Sequence, residues 1–132
     1  MVEMLSLAVE SLNHVALQTK RIAESIQFYV DVLGAKVISR PAFTFGGAWL
    51  YIAGIQIHLI ELGSPEGRGE IDTRGNHISF AVPDVDAAEE RLRELGVRYE
   101  RKLIEDRGVH QIFFQDPDGH TIEVGKYGLI DR

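Results

Sequence analysis

The stretch Asn-His-Val-Ala-Leu at residues 13–17 decides the fold, because a similar stretch, Asn-His-Ile-Ser-Phe, returns at residues 76–80, 63 positions later. Both stretches alternate apolar residues with small or polar ones, which is the pattern of a β-strand with one buried face. A segment that recurs together with its surroundings indicates an internal duplication. The sequence therefore predicts two copies of one supersecondary unit.

An amphipathic helix is predicted after each of these two strands. Apolar residues recur three or four positions apart, which places them on one face of a helix. Gly34 and Gly96 follow at nearly the same offset, and glycine readily ends a helix in the left-handed conformation. The two apolar stripes consist of Ile22, Ile26, Tyr29, Val30 and Leu33 in the first copy, and Val85, Ala88, Leu92 and Leu95 in the second.

Three short strands are predicted after each glycine, separated by turns rich in Gly, Pro and Asp. We therefore expect an α+β fold of two βαβββ modules in tandem, about residues 12–62 and 76–127, in a single domain covering residues 1–132. Residues 63–75 would be a linker or a flap. Neither sheet can bury its inner face alone, so the modules should form a cup of mixed and antiparallel sheet with the helices outside. The predicted strands are Lys36 to Ser39, Ala48 to Ile52, Ile55 to Glu61, Val97 to Leu103, Val109 to Gln115 and Thr121 to Gly125.

Composition agrees with one globular domain and restricts its partners. The chain has 132 residues, 45% of them hydrophobic, and a net charge of -6 with acids and bases interspersed. That charge distribution offers no basic surface for phosphates, so we expect no nucleic-acid partner. No segment approaches the length of a membrane span, and Glu3 and Glu10 lie where a secretory signal would have basic residues. With no cysteine in the chain, we expect a cytoplasmic protein without a membrane partner, in which imidazole and oxygen bind any metal.

Four polar side chains fall on the same side of the predicted strands. Alternate residues of a strand point to opposite faces, and each of the four has neighbours that point towards the helices. His58 follows His14 by 44 positions, and Glu123 follows His77 by 46. Equivalent strands of the two copies therefore supply equivalent groups. The sequence therefore predicts that His14, His58, His77 and Glu123 face the inside of the cup.

Such a set favours a divalent transition metal. Three imidazole nitrogens and one carboxylate suit zinc, nickel, iron, cobalt or manganese, and are too rich in nitrogen for calcium or magnesium. We predict one such ion per chain, with positions left for water or a chelating substrate. A single histidine is more often a hydrogen-bonded core or rim residue, and it is the symmetry of four that favours a metal. His110 and His120 lack that symmetry and are expected to be rim residues.

Three motifs resemble those of the vicinal oxygen chelate superfamily, which includes glyoxalases, bleomycin-resistance proteins and extradiol dioxygenases. They are the first Asn-His strand, Phe-Tyr-Val-Asp-Val-Leu-Gly at residues 28–34, and Asp-Pro-Asp-Gly-His-Thr-Ile-Glu at residues 116–123. The resemblance covers about residues 12–127 and is closest to small glyoxalase-I-like proteins. It implies paired modules around a metal, often in a dimer, with ligands at His14, His77 and Glu123 and a fourth ligand position at His58.

The sequence departs from several members of that superfamily. The resemblance implies glutamate or glutamine at position 58 in glyoxalase I, where the glutamate helps to move a proton, so His58 puts that mechanism in question. Fosfomycin-modifying transferases would have a hydroxyl and a tyrosine where this chain has Ala16 and Phe113, which disfavours their activity. Extradiol dioxygenases leave the fourth-strand position free for substrate, and His58 would crowd it.

The leading hypothesis is a glyoxalase-like isomerase or lyase that acts on a small molecule with adjacent oxygens, such as an α-hydroxycarbonyl. The metal would hold both oxygens and stabilise an enediolate, and Glu123 or His58 would be the catalytic base. An iron-dependent dioxygenase of the extradiol type would use the same ligands, and oxygen uptake with a catechol would identify it. A drug- or metabolite-binding protein without turnover is the third possibility, and the complete ligand set counts against it.

Aromatic residues near the predicted ligands suggest a substrate pocket. Trp49 and Tyr51 share a strand face, and together with Phe43, Phe45 and Phe113 they would either line the pocket or belong to the core.

A homodimer is expected from the family resemblance and from an apolar N-terminal segment. Leu5, Ala8 and Leu12 lie at helical spacing, and we predict that this segment packs on the body of the chain or on its partner.

Overall fold

The structure, a computed structural model, describes residues 6–127. Each half of the chain contains a strand, a helix and three further strands in that order, so the predicted tandem of βαβββ modules is confirmed. The first module consists of β1 (His14–Thr19), α1 (Ile22–Asp31), β2 (Lys36–Ile38), β3 (Gly47–Ile52) and β4 (Ile55–Glu61). The second consists of β5 (His77–Ala81), α2 (Val85–Glu94), β6 (Tyr99–Ile104), β7 (Val109–Gln115) and β8 (Thr121–Gly125).

Each module forms one four-stranded sheet, and the two sheets have the same topology. The strand order is β1-β4-β3-β2 in the first and β5-β8-β7-β6 in the second. The first and last strands of each module pair in parallel, and the other neighbours pair antiparallel. The predicted α+β class with mixed sheets is therefore confirmed, and the strands that carry the predicted ligands are neighbours within each sheet.

Glycines end both helices as the sequence predicts, and one of them shifts a strand boundary. Gly96 has a φ of 70°, and the N–H of Val97 donates to the carbonyl of Leu92 at 2.9 Å. This bond closes the last helical turn and satisfies a carbonyl that would otherwise lack a partner. Val97 was predicted to begin a strand, but its N–H belongs to the helix end, and β6 begins at Tyr99. The segment 6–13, which contains Ala8 and Leu12, has no helix or strand, and Leu5 lies outside the described residues.

The apolar faces of the two helices and the two sheets form one continuous core. Leu50, Ile57 and Ile122 are fully buried within it. The ring of Phe28 on α1 lies 6.2 Å from the ring of Phe114 on β7, so the core crosses from one module to the other. Both helices lie on the outer side of the sheets, as predicted. The opposite face of each sheet, which carries the predicted ligands, is therefore not covered by a helix in the described part of the chain.

The turn between β7 and β8, residues 116–119, fastens the second module to the first helix. Asp118 accepts hydrogen bonds from the backbone N–H of Lys20 at 3.2 Å, the guanidinium of Arg21 at 3.0 Å and the hydroxyl of Ser25 at 2.8 Å. The residue before α1 makes no side-chain cap of its own. Asp118 therefore supplies, from 93 to 98 residues away, the acceptor and the negative charge that a helix N-terminus favours.

Asp116, in the same turn, is also fully buried. Its two oxygens accept the hydroxyl of Tyr29 at 2.7 Å and the N–H groups of Asp118 and His120 at 3.0 and 2.9 Å. Burial raises the pKa of Asp116, and the hydrogen bond from Tyr29 only partly opposes this. Burial also acts on Asp118, but its hydrogen bonds outweigh that effect and lower its pKa.

The segment between the modules, residues 63–75, has no helix or strand; Pro65 and Glu66 accept hydrogen bonds from Arg21, and the part from Gly69 onward lies along the second sheet. The carbonyl of Gly69 accepts from Arg98, the carbonyl of Glu70 accepts from Gln115 at 3.2 Å, and Lys102 donates to Thr73 at 2.6 Å. These contacts join the segment to β6 and β7. None of the helices in residues 6–127 is long and apolar enough to cross a membrane.

Candidate metal centre

His14 and His58 form the first pair of predicted ligands. They lie on the neighbouring parallel strands β1 and β4, with Ala16 opposite His58. Their rings stack with centroids 4.0 Å apart and planes 15° apart. Nδ1 of His14 lies 2.7 Å from Oδ1 of Asn13, an acceptor, so Nδ1 carries the proton and the lone pair is on Nε2. A hydrogen bond at one ring nitrogen that leaves the other free is characteristic of metal-binding histidine.

His77 and Glu123 form the second pair, on the parallel strands β5 and β8. Ser79 lies opposite Glu123, as Ala16 lies opposite His58, so the two pairs occupy equivalent register positions. Nδ1 of His77 donates to the carbonyl of Gly75 at 2.8 Å, which again leaves the lone pair on Nε2. Nε2 of His77 is 3.0 Å from Oε1 of Glu123. The two atoms are therefore close enough for one metal ion to bind both, which is the role that His77 and Glu123 would have.

The carboxylate of Glu123 is buried and is held by two further donors. Gln111 donates to its Oε2 at 2.9 Å, and the hydroxyl of Tyr127 also donates to Oε2. The same hydroxyl lies 2.8 Å from the hydroxyl of Ser79. Burial, followed by the hydrogen bond to Glu123, raises the pKa of Tyr127 to about 12, so its hydroxyl remains a donor at neutral pH. Oε1 of Glu123 therefore faces His77, while the hydrogen bonds from Gln111 and Tyr127 hold Oε2.

Tyr127 and Gln111 were missed by the sequence reasoning. Tyr127 lies beyond the last strand, and its ring returns over Gly125, where an added Cβ would be 2.7 Å from the ring. Only glycine leaves room for this approach. A glycine at the end of the strand that carries Glu123, two residues before an aromatic residue, is the signal that the sequence offered.

His58 is the least pre-oriented of the three histidines. Its Nε2 lies 2.8 Å from Oε1 of Gln56, whereas Nε2 of His14 has no hydrogen-bond partner among residues 6–127 and Nε2 of His77 faces the carboxylate of Glu123. Burial, followed by the neighbouring His14, lowers the pKa of His58, so its imidazole is neutral at neutral pH. A neutral imidazole is the form that binds a metal.

The two pairs do not meet within one chain. Among residues 6–127, the single group of three or more potential ligands with atoms within 4.8 Å of one another is Asp116, Asp118 and His120. All four carboxylate oxygens of that group already accept hydrogen bonds, and Nε2 of His120 lies 2.7 Å from the carbonyl of Gln18. We therefore assign the group a structural role: its hydrogen bonds hold the second module against the first. His120, a rim residue, contributes through its contact with Gln18. His110 accepts from Arg101 at 3.2 Å, away from both pairs.

The predicted pocket residues divide between the two pairs. Trp49 stacks on His58, with centroids 4.1 Å and planes 2° apart, and Phe43 lies 6.1 Å from Trp49. Phe113 is buried and approaches His77 edge-on at 5.7 Å. Tyr51, on the same strand face as Trp49, is exposed. An apolar cavity of about 230 Å³ lies elsewhere, between the modules beside Leu33, Phe80 and Leu92, and none of the four predicted ligands lines it.

Residues 11–124 match the family model of the glyoxalase/bleomycin resistance protein/dioxygenase superfamily. The chain belongs to this superfamily. It is 42% identical over 124 residues to Glyoxylase I 4 of Arabidopsis thaliana, a match that covers 89% of this chain and 71% of that protein. It is 32% identical over 142 residues to the lactoylglutathione lyase of Pseudomonas putida, covering 85% of this chain and 82% of that protein.

A solved structure of another superfamily member gives a third comparison. It is a mutant of the fosfomycin resistance protein FosX from Listeria monocytogenes, complexed with Mn(II) and 1S,2S-dihydroxypropylphosphonic acid. The TM-score is 0.77 at 25% identity, and the match covers 92% of this chain and 95% of that chain. The resemblance inferred from sequence motifs is thus confirmed, and the superfamily includes both glyoxalase-type and fosfomycin-resistance proteins.

The residues of this chain fit a divalent transition metal. Two histidines keep the lone pair on Nε2 because Nδ1 donates a hydrogen bond, a third is neutral, and one carboxylate oxygen faces Nε2 of His77. This donor set, three nitrogens and one oxygen, is the chemistry that zinc, nickel, iron, cobalt and manganese accept.

Proposed function

We propose that the chain binds one divalent transition metal through His14, His58, His77 and Glu123, and catalyses a glyoxalase-type isomerase or lyase reaction. Its substrate is a small molecule with two adjacent oxygens. The observation that carries the proposal is that equivalent register positions in two sheets of identical topology hold ligand pairs on faces without a helix.

A second copy of the chain completes the centre in this proposal. Each chain offers two half-sites that do not meet, and its helices are committed to the core between its own modules. Pairing the first sheet of one chain with the second sheet of its partner would bring His14 and His58 to His77 and Glu123 of the other copy. A twofold axis makes two such centres, one per chain on average.

The proposed chemistry needs a base beside the substrate, and the protein side chains provide it. When bound, the metal supplies Lewis-acid charge for the two adjacent oxygens. Glu123 is the only carboxylate of the set and would accept the proton from the carbon between those oxygens. Gln111 and Tyr127 hold its Oε2 and so orient Oε1 towards the reacting centre. His58 of the other copy, a neutral imidazole, would complete the same centre and is the second candidate for moving a proton.

The relatives support this reaction class. One is named for lactoylglutathione lyase activity. The superposed FosX structure holds Mn(II) together with a compound whose name gives it adjacent hydroxyl groups. Fosfomycin modification is disfavoured here, because the side chain opposite His58 is the methyl group of Ala16 and the residue opposite Glu123 on β7 is Phe113.

An extradiol-type dioxygenase with iron is the second candidate. The ring of Trp49, stacked on His58, favours it, because a catechol is itself a flat ring with adjacent oxygens. His58 disfavours it, since that side chain occupies space which such a substrate would need. A drug-binding protein without turnover is third, and it would not need the two oriented ligand pairs.

The proposal is tested by proton exchange. Protein loaded in turn with zinc, nickel, manganese and iron is incubated in D2O with a panel of α-hydroxycarbonyl compounds, and loss of the α-proton signal is followed by NMR. We expect metal-dependent exchange that Glu123→Gln abolishes, because the amide keeps the shape and loses the base. Glu94→Gln, the same change at a glutamate of α2 whose side chain is 56% exposed, is the matched control and should leave the exchange unchanged. Oxygen consumption with catechol in the iron-loaded sample, without proton exchange in any sample, would instead establish the dioxygenase.

A further inference from the structure

A row of aromatic side chains continues outward from the first ligand pair. His14 stacks on His58 at 4.0 Å and His58 stacks on Trp49 at 4.1 Å, across the three neighbouring strands β1, β4 and β3. The row then reaches Phe43, tilted by 51° against Trp49 at 6.1 Å, and Phe45, stacked on Phe43 at 4.9 Å. Two of the five rings are thus predicted metal ligands, and the other three adjoin them.

The outer two rings are exposed although they are strongly apolar. Phe43 and Phe45 are 43% and 45% exposed, in a segment between β2 and β3 without helix or strand. Scattered apolar residues on a surface are common, but these two are paired and continuous with a candidate binding site. Burial of their free surface against an apolar ligand would be favourable.

Arg40 holds this aromatic pair in place. Its guanidinium carbon lies 5.0 Å from the ring centroid of Phe43 and 5.4 Å from that of Phe45, and it donates to the carbonyl of Phe45 at 2.7 Å. No carboxylate lies within 4.0 Å of it in residues 6–127. A cation over an aromatic face stabilises that arrangement, so the pair is pre-organised and does not need to collapse inward.

We infer that the substrate carries a planar aromatic group, which packs against Trp49, Phe43 and Phe45 while its adjacent oxygens lie at the ligand pairs. This inference rests on the proposed function and narrows its substrate class from any small compound with adjacent oxygens to an aryl-substituted one. A set of aromatic side chains favours a ligand with a flat ring, because offset-stacked and edge-to-face contacts between rings add to the free energy gained from burying apolar surface. A methyl-substituted substrate would leave the three rings without a partner.

Three hydroxy acids test the inference. Lactate, mandelate and hexahydromandelate share a hydroxyl and a carboxylate on adjacent carbons and differ in carrying a methyl, a phenyl or a saturated ring. Binding to zinc-loaded protein is measured by calorimetry and by the fluorescence of Trp49, the single tryptophan of the chain. We expect mandelate to bind at least about tenfold more tightly than lactate, a difference of ~1.4 kcal/mol, with hexahydromandelate between them.

Variants assign the effect to the aromatic pair. In Phe43→Leu/Phe45→Leu the apolar character remains and two of the three flat rings are lost, so the preference for mandelate over hexahydromandelate should shrink while zinc content is unchanged. Tyr51→Leu, on the same strand face but without a ring contact to the row, should keep the preference.

Two results would overturn this inference and leave the proposed function intact. One is equal affinity for lactate and mandelate in protein that binds zinc and both acids. The other is conversion of the double variant to a monomer, which would assign Phe43 and Phe45 to a subunit interface. Failure of all three acids to bind zinc-loaded protein would contradict the proposed function as well.

Discussion

Asp118 should contribute more to stability than any exposed charge of the chain, because it joins the second module to the start of α1. Its side chain is fully buried and accepts hydrogen bonds from Lys20, Arg21 and Ser25. Hydrogen bonds to a charged group are worth about 1.5–3 kcal/mol each, and removing one partner of a buried pair costs about 3–5 kcal/mol. Ser25 would keep its contact with Thr19 at 3.0 Å, and the side chain of Arg21 is 27% exposed, so water would replace part of the loss.

We therefore expect Asp118→Ala to lower the free energy of unfolding by about 3 kcal/mol. With a urea m-value of about 2 kcal/mol/M, the denaturation midpoint would fall by about 1.5 M. The protein concentration must be fixed, since a dimer unfolds in a concentration-dependent way. Glu94→Ala is the matched control. Its ion pair with Arg91, at 3.2 Å, is close in length to the 3.0 Å pair of Asp118 with Arg21, but the side chains of Glu94 and Arg91 are 56% and 59% exposed. Equal small effects of the two substitutions would refute the reasoning.

The same interaction fixes a pH dependence. Hydrogen bonds lower the pKa of Asp118 below its usual 3.8, so its contribution is complete above that pH and is lost as pH falls through the lower folded value. Asp118→Asn should therefore differ from the wild type by a constant amount between about pH 5 and pH 7, and the difference should shrink below about pH 4. The raised pKa of Asp116 acts in the opposite direction in both proteins and largely cancels in the comparison.

Three further substitutions test the site. His14→Ala should release the metal, by elemental analysis, with an unchanged urea midpoint of the metal-free protein because His14 is exposed; retention of one metal per chain would remove His14 from the ligand set. Tyr127→Phe should weaken metal affinity about tenfold or more, because hydrogen-bonded partners of ligands typically matter by that amount; unchanged affinity by competition with a chelator would show that the contact to Glu123 is incidental. Wild-type activity on the hemithioacetal of methylglyoxal and glutathione should be weak, and His58→Glu should raise it by adding a second carboxylate. Strong wild-type turnover that the variant loses would prove the opposite, that histidine serves a true glyoxalase site.

Much of the fold could be predicted because local patterns and global structure agree. The alternation around His14 and His77 and the helical stripes ended by Gly34 and Gly96 located both modules. The boundary at Val97 was wrong, because the helix end at Gly96 extends one residue further: the N–H of Val97 bonds back to the carbonyl of Leu92, and the strand begins only after it.

The candidate site was predictable only in part, for a geometric reason. Alternation along a strand tells which face a residue occupies, and so it placed His58 and Glu123 on the faces without a helix. It does not tell how far apart two sheets lie, and the separation of the two ligand pairs in one chain was not foreseen. Nor could it find Tyr127, which reaches Glu123 by folding back beyond the last strand, or Asp118, whose partners lie more than 90 residues away.

A subunit-mixing experiment tests the central claim most directly, namely that four residues from two copies bind one metal. One variant, His14→Ala/His58→Ala, lacks the first pair, and the other, His77→Ala/Glu123→Ala, lacks the second. Each homodimer should bind no metal, because each of its centres keeps only two of four ligands. A mixed dimer, isolated through two different affinity tags, should regain one intact centre and bind about one metal. Mixed dimers of folded chains that bind no metal would contradict the account.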